Sequence, residues 1–191
     1  VSVKTLMSAE DIRRSLARIA HEIIERNGTS NSLILAGIHT RGVPIAKRIS
    51  LLINNFSRSI IPVITLNIEP YRDDTLAPDK HYCCLNDRTH LIANEKTIIL
   101  IDDVLYTGRS VRAAMDALIV LGRPREVQLA VLIDRGHREM PIRADYIGKN
   151  IPSSRNEIIK VRVAEIDGLD EVVIVGSQQA KTVIFEIGTL P

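Results

Sequence analysis

Tryptophan is absent from the 191 residues, which include only 2 phenylalanines and 4 tyrosines. An aromatic platform on which successive bases of single-stranded nucleic acid could stack is therefore poorly supplied. Cysteine is equally scarce. The 2 present, Cys83 and Cys84, are adjacent and cannot close a stabilising loop, so they read as free thiols. No stretch approaches the roughly 18 apolar residues of a membrane span, and the opening "VSVKTLMSAEDIRR" lacks the apolar region of a signal peptide. A soluble, cytoplasmic protein with no membrane partner is expected. Net charge is missing too: 25 Lys and Arg against 23 Asp and Glu leave a formal +2, so any polyanion must be met by a local patch.

What is present is alternation. "SAEDIRRSLARIAHEIIERNG" opens with Ser8 three residues before Asp11, close to a capping box, and stops at Asn27-Gly28. Ile12, Leu16, Ile19 and Ile23 keep the helical period and face a core; Arg14, Arg18 and His21 form a second stripe. The apolar runs at 32–38, 60–68, 97–102 and 126–134 read as buried strands, with helices over "VPIAKRISLLI" and 110–122. Such order predicts an α/β fold with a central, mainly parallel sheet flanked by helices. One domain, 1–191, is expected. Residues 69–96 keep no period and read as a flap with a short hairpin around Tyr82 to Leu85, and 176–191 form a C-terminal extension.

The chemistry concentrates in "TIILIDDVLYTGRS". An acidic pair at a strand end is commonly no more than a solvated edge. In an open α/β sheet, however, ligands bind outside the carboxyl ends of the strands, where Asp102 and Asp103 fall. Hydroxyls at Tyr106, Thr107 and Ser110, with Gly108 between, then lead into a helix N-terminus suited to a phosphate monoester. Neither a P-loop nor a GxGxxG fingerprint occurs. Carboxylates beside a phosphate cradle suit a ribose 5-phosphate.

"IILIDDVLYTGRS" resembles the phosphoribosyl pyrophosphate motif of the type I phosphoribosyltransferases. Over about 6–170, "RRSLARIAHEIIERN", "TRG", "YRDD", "LGRP", "DRGHREMPIRADYIGKNIPSSR" and "EIDG" are similar to the PyrR family of pyrimidine operon regulators. Members of that family are uracil phosphoribosyltransferases that also bind pyrimidine-operon mRNA and control transcription attenuation. The resemblance implies phosphoribosyl pyrophosphate and uracil as substrates, UMP as product, Mg²⁺ as cofactor and a homo-oligomer.

By the same resemblance, Asp102 and Asp103 act on ribose and metal, directly or through ribose hydroxyls or water. Val104, Leu105, Tyr106, Thr107, Gly108, Arg109 and Ser110 line the phosphate site. Thr40, Arg41 and Gly42 form the pyrophosphate loop, and Arg72 of the flap acts catalytically when the flap closes. The match is imperfect there, since "NIEPYRDD" brings Pro70 to the approach. A hood over the base is expected at about 134–157. The implied RNA surface comprises Arg14, Arg18, His21, Thr40, His137, Arg138, Arg143 and Lys149, with His137 on an exposed loop; the family's hydroxyl before Arg18 is Ala17 here. Two alternatives stay open: a salvage transferase without RNA regulation, and one specific for purines.

Overall fold

Ser8 and Asp11 start the first helix reciprocally. The Asp11 amide donates to Ser8 Oγ at 3.3 Å, and the Ser8 amide donates to Asp11 Oδ2 at 3.0 Å. In the computed structural model, which describes residues 3–29, 32–73 and 92–176, this helix is α1, Ala9–Asn27, with Ile12, Leu16, Ile19 and Ile23 buried as expected. The hairpin around Tyr82 to Leu85, the two cysteines and residues 177–191 lie outside the described residues.

Five strands make the central sheet in the order β3-β2-β4-β5-β6, all parallel: β2 Leu33–Ile38, β3 Val63–Leu66, β4 Thr97–Leu105, β5 Glu126–Asp134 and β6 Tyr146–Asn150. Their continuous apolar runs follow from burial on both faces. Leu33, Leu35, Ile99 and Ile101 pack with α1 and with α2, Gly42–Ser57. Ile34, Ala36, Ile98 and Leu100 pack with α3, Arg109–Val120. The α/β class read from the sequence holds.

Three features differ from the sequence reading. β4 does not stop at Asp102; it stays paired with β5 to Leu105, so both acids lie within the strand. The stretch 134–157, assigned to a hood, contributes β6 to the central sheet, hydrogen-bonded beside β5. A separate antiparallel sheet, β1-β8-β7, is built instead from β1 Val3–Met7, β7 Ile158–Arg162 and β8 Glu171–Val175, with the short helix α4, Ala164–Asp167, joining the last two. Among the described residues, no helix is long and apolar enough to cross a membrane.

Candidate active site at the carboxyl end of the sheet

β2 accompanies β4 only as far as Ile101. Beyond that point the acids serve the backbone: the Asp103 amide donates to Asp102 Oδ1 at 2.9 Å and the Val104 amide to Asp103 Oδ1 at 2.8 Å. Short acidic side chains suit that task, which lets the strand run on without a neighbour on one side. The cost is electrostatic. Asp102 is only 8% exposed, and burial, reinforced by the Asp103 charge, pushes its carboxyl well above the usual range; burial raises Asp103 as well. Their carboxylate oxygens are donors of the kind a hard divalent cation takes. Among the described residues no cluster of three or more side chains that could hold a metal ion is found; Mg²⁺ commonly takes one or two carboxylates and completes its shell with water and substrate oxygens.

Neighbouring strand residues face opposite sides, so the two acids open on different spaces. Asp102 lines a cavity of about 420 Å³ with Arg72 and with every residue from Val104 to Ser110. The expected phosphate loop, the flap arginine and one acid are thus brought together. Gly108 precedes α3 with φ at +93°, a left-handed conformation that Gly adopts without strain. The helix then presents its first-turn amides, which have no intrahelical acceptor, at the cavity wall. Arg109 lines this space too, but its guanidinium bridges Asp73 at 2.8 Å and Glu139 at 2.9 Å.

Asp103 instead lines a space of about 270 Å³ with Arg41, Lys160, Arg162 and Asp167. Gly42 makes this proximity possible, because a Cβ there would lie 2.2 Å from the Ile101 carbonyl oxygen. Only glycine lets α2 begin so close to β4. Arg41 makes a two-pronged pair with Asp167, Nη2 to Oδ1 at 2.7 Å and Nε to Oδ2 at 3.1 Å. Asp167 also accepts the Val163 amide at 2.9 Å. About two helix turns along α2, Arg48 grips Glu165 and Asp170, ending 2.5 and 2.8 Å from their carboxylates. Thr40 is exposed beside His39, and Thr40 and Gly42 line neither cavity.

The expected RNA residues divide. Arg14, Arg18 and His21 share one face of α1; Arg18 Nη2 donates to the Ile147 and Gly148 carbonyls of β6 at 2.8 Å each, and His21 stacks on Phe56 at 4.0 Å. Lys149, next on β6, remains exposed, with Nζ donating to the Leu6 carbonyl at 3.0 Å, and Arg143 is exposed on the loop before β6. Arg138 is half-buried. Its guanidinium donates to the Leu105, Tyr106, Gly136 and Ile142 carbonyls and to Asp134, which occupies its fork inside the fold. His137 is half-buried rather than exposed, with Nε2 against the Ser153 carbonyl.

Sequence reasoning gave no role to Asp167, Glu139, Asp73 or Arg135. "EIDG" carried a signal for Asp167, as an acid just before a Gly that closes a short helix with φ at +77°. The others are charged loop residues whose partners lie more than 15 positions away, and no local pattern marks them.

Comparison with known proteins agrees with this geometry. The phosphoribosyl transferase domain profile matches residues 2–166. The bifunctional protein PyrR of Thermus aquaticus is 54% identical over 167 residues, covering 87% of this chain and 92% of its own. That of Chloroflexus aurantiacus is 53% identical over 171 residues, covering 90% and 94%. Among solved structures, the hypoxanthine phosphoribosyltransferase of Trypanosoma cruzi in complex with IMP superposes with a TM-score of 0.68, at 17% identity and 96% coverage of each chain. The Leishmania tarentolae HGPRT-ase in complex with GMP gives 0.67, at 16% identity, covering 92% of this chain and 98% of its own.

Proposed function

The chain belongs to the phosphoribosyl transferase family and, within it, to the PyrR family, and on that premise we propose that it converts uracil and phosphoribosyl pyrophosphate to UMP and pyrophosphate. The observation that carries the reading is the single cavity joining Asp102, Arg72 and the loop from Val104 to Ser110. A 5-phosphate fits the helix start and the Thr107 and Ser110 hydroxyls, and the ribose lies toward the acids. The bond from ribose C1 to pyrophosphate breaks as the bond to a uracil nitrogen forms and that nitrogen gives up its proton to water or to the departing pyrophosphate, through a transition state with cationic character on the ribose. No covalent nucleophile is needed; positioning and electrostatics do the work. Buried Asp102 and Asp103 place negative charge beside the developing cation, and Arg41 and Arg72 receive the leaving anion.

Asp102 and Asp103, directly or through ribose hydroxyls and water, would hold Mg²⁺, which would supply charge neutralisation for the leaving group. Arg72, at the start of the segment read as a flap, reaches the pyrophosphate when that flap closes and excludes water; residues 74–91 of the segment lie outside the described residues. The small sheet β1-β8-β7 faces the Asp103 space through β7 and supplies the hood over the base.

The same protein also binds pyrimidine-operon leader mRNA and regulates transcription attenuation in response to uridine nucleotides. Support comes from Arg18 and Lys149, which lie where α1 meets β6, and from exposed Arg14 and Arg143, with Arg14 and Arg18 also ion-paired to Asp11 and Glu22. Such contacts give salt-dependent affinity to phosphates, while folded RNA is read by its shape and unstacked bases. Both activities belong in the cytoplasm, and a homo-oligomer is the expected assembly.

Radiolabelled uracil, hypoxanthine and adenine, each incubated with phosphoribosyl pyrophosphate and Mg²⁺, test the enzyme reading; only uracil is expected to convert. A gel-shift titration with the leader RNA, with and without UMP, tests the second. Absence of UMP-enhanced binding at low salt refutes regulation and leaves the salvage transferase.

A further inference from the structure

The space beside Asp103 is walled on one side by β7, a strand of the small sheet, and on another by Arg41, in the loop after β2 of the central sheet. Ile159 and Val161 of β7 are buried in the core, so the residues alternating with them, Lys160 and Arg162, share the opposite face. Three cations therefore border one space of about 270 Å³: Arg41, Lys160 and Arg162.

Two of the three are matched by acids. Arg41 holds Asp167 with both prongs of its fork. Arg162 stands opposite Glu171 in the register of β7 and β8, and its Nη1 donates to Glu171 Oε1 at 2.6 Å. Lys160 stands opposite Val173, which brings no charge. Among the described residues, no carboxylate pairs with the Lys160 ammonium. A polyanion entering this space thus meets two guanidiniums already matched and one ammonium that is not. A lysine on a half-buried strand face is ordinarily a solvated charge whose stem covers apolar neighbours. This one borders the space of Arg41 and Asp103, where a compact charge on a flexible stem follows an anion readily.

We infer that Lys160 is a further substrate-binding residue, whose ammonium takes the pyrophosphate group of phosphoribosyl pyrophosphate from the small-sheet side while Arg41 takes it from the central sheet. The inference rests on the reading of this space as the pyrophosphate site. The ammonium donates hydrogen bonds to the phosphate oxygens and neither gives nor takes a proton in the reaction. Its charge matters most as the bond to ribose C1 breaks and negative charge gathers on the leaving group. Because Lys160 and Arg41 belong to different sheets, a pyrophosphate gripped by both ties one sheet to the other.

Steady-state kinetics of the full chain and of Lys160→Met, Lys160→Arg and Lys160→Glu test it. Lys160→Met removes the ammonium and keeps an unbranched stem. The KM for pyrophosphate, read with UMP in the reverse reaction, and the KM for phosphoribosyl pyrophosphate should each rise about tenfold, the scale of one charge-assisted hydrogen bond. The constants for uracil and UMP should stay within about twofold. Lys160→Arg should bring both raised constants back to within about threefold of the unaltered protein, and Lys160→Glu should exceed the Met variant. Pyrophosphate and phosphoribosyl pyrophosphate constants unchanged in folded Lys160→Met overturn the inference, as does a rise confined to uracil, which places Lys160 on the base instead. Calorimetric titration of pyrophosphate with Mg²⁺ into the full chain in the presence of UMP reads the same contact without turnover. If the unaltered protein binds pyrophosphate but converts no uracil, the uracil reading falls, and Lys160 is decided by whether Lys160→Met loses pyrophosphate affinity. If it binds no pyrophosphate, the inference falls as well.

Discussion

Arg41 and Asp167 lie 126 positions apart and are joined by two parallel hydrogen bonds, which fasten the loop after β2 to the helix between β7 and β8. The pair raises the arginine's proton affinity and lowers that of the acid, since each stabilises the other's charge. A carboxylate occupying the fork of Arg41 is a stand-in for the anion that loop is read to bind. Asp167→Asn should therefore alter the KM for pyrophosphate, measured with UMP in the reverse reaction, more than the KM for UMP. Arg41→Ala should raise the pyrophosphate KM by about tenfold or more, the scale of one lost charge-assisted hydrogen bond. An unchanged pyrophosphate KM in Arg41→Ala removes Arg41 from the site.

Asp102 and Asp103 set activity against stability. Asp102→Asn and Asp103→Asn should each lower kcat/KM by about a hundredfold, as removal of a group aimed at transition-state charge does. Together they should abolish detectable uracil conversion. Each single variant should also raise the thermal midpoint of the ligand-free protein at neutral pH, because one of two buried like charges is gone. Calorimetric melts beside initial rates check both halves.

Arg48 gives a pH dependence of known sign. Its guanidinium holds the Glu165 carboxyl below the ordinary 4.5; for Asp170 burial pushes upward, but Arg48 and the Ala164 amide outweigh it and hold the group below 3.8. A carboxylate depressed in the folded state contributes stability above its unfolded pKa, and that contribution is lost as pH falls through the folded value. Arg48→Met should cost about 1–3 kcal/mol at pH 7. The gap between variant and unaltered protein should narrow as pH falls from about 5 toward 3, which urea titrations at stepped pH will show.

Gly42→Ala forces a methyl against the Ile101 carbonyl, a backbone atom that cannot rotate away. Overpacking of this kind should destabilise the protein by about 1–3 kcal/mol. Activity should fall more steeply, because relief requires α2 and the Arg41 loop to retreat from β4. Thermal unfolding and uracil turnover of the same sample separate the two effects.

What the sequence disclosed depended on the reach of its patterns. α1 was legible because its cap and its four isoleucine and leucine positions are local, and the β4 motif was legible because acids, hydroxyls and glycine follow one another. The end of β4 was misjudged because acids ordinarily close a strand, whereas here their side chains satisfy the next amides. β1 was not anticipated: "VKTLM" is mostly exposed, and its partner β8 lies at the far end of the described chain. β6 passed for loop because its exposed Lys149 and Asn150 interrupt the apolar run. Arg138 read as a surface cation and Arg135 drew no reading, because nothing local reveals that carbonyls converge on them.

The alternation of Asp102 and Asp103 across β4 makes the strand end a saddle. A ligand with a single phosphate needs only the flank beside α3. One carrying anions at both ends of a ribose can sit astride, a phosphate on one flank and a pyrophosphate on the other, with the sugar over the ridge between the two acids. The distance between the two flanks is set by the thickness of one strand.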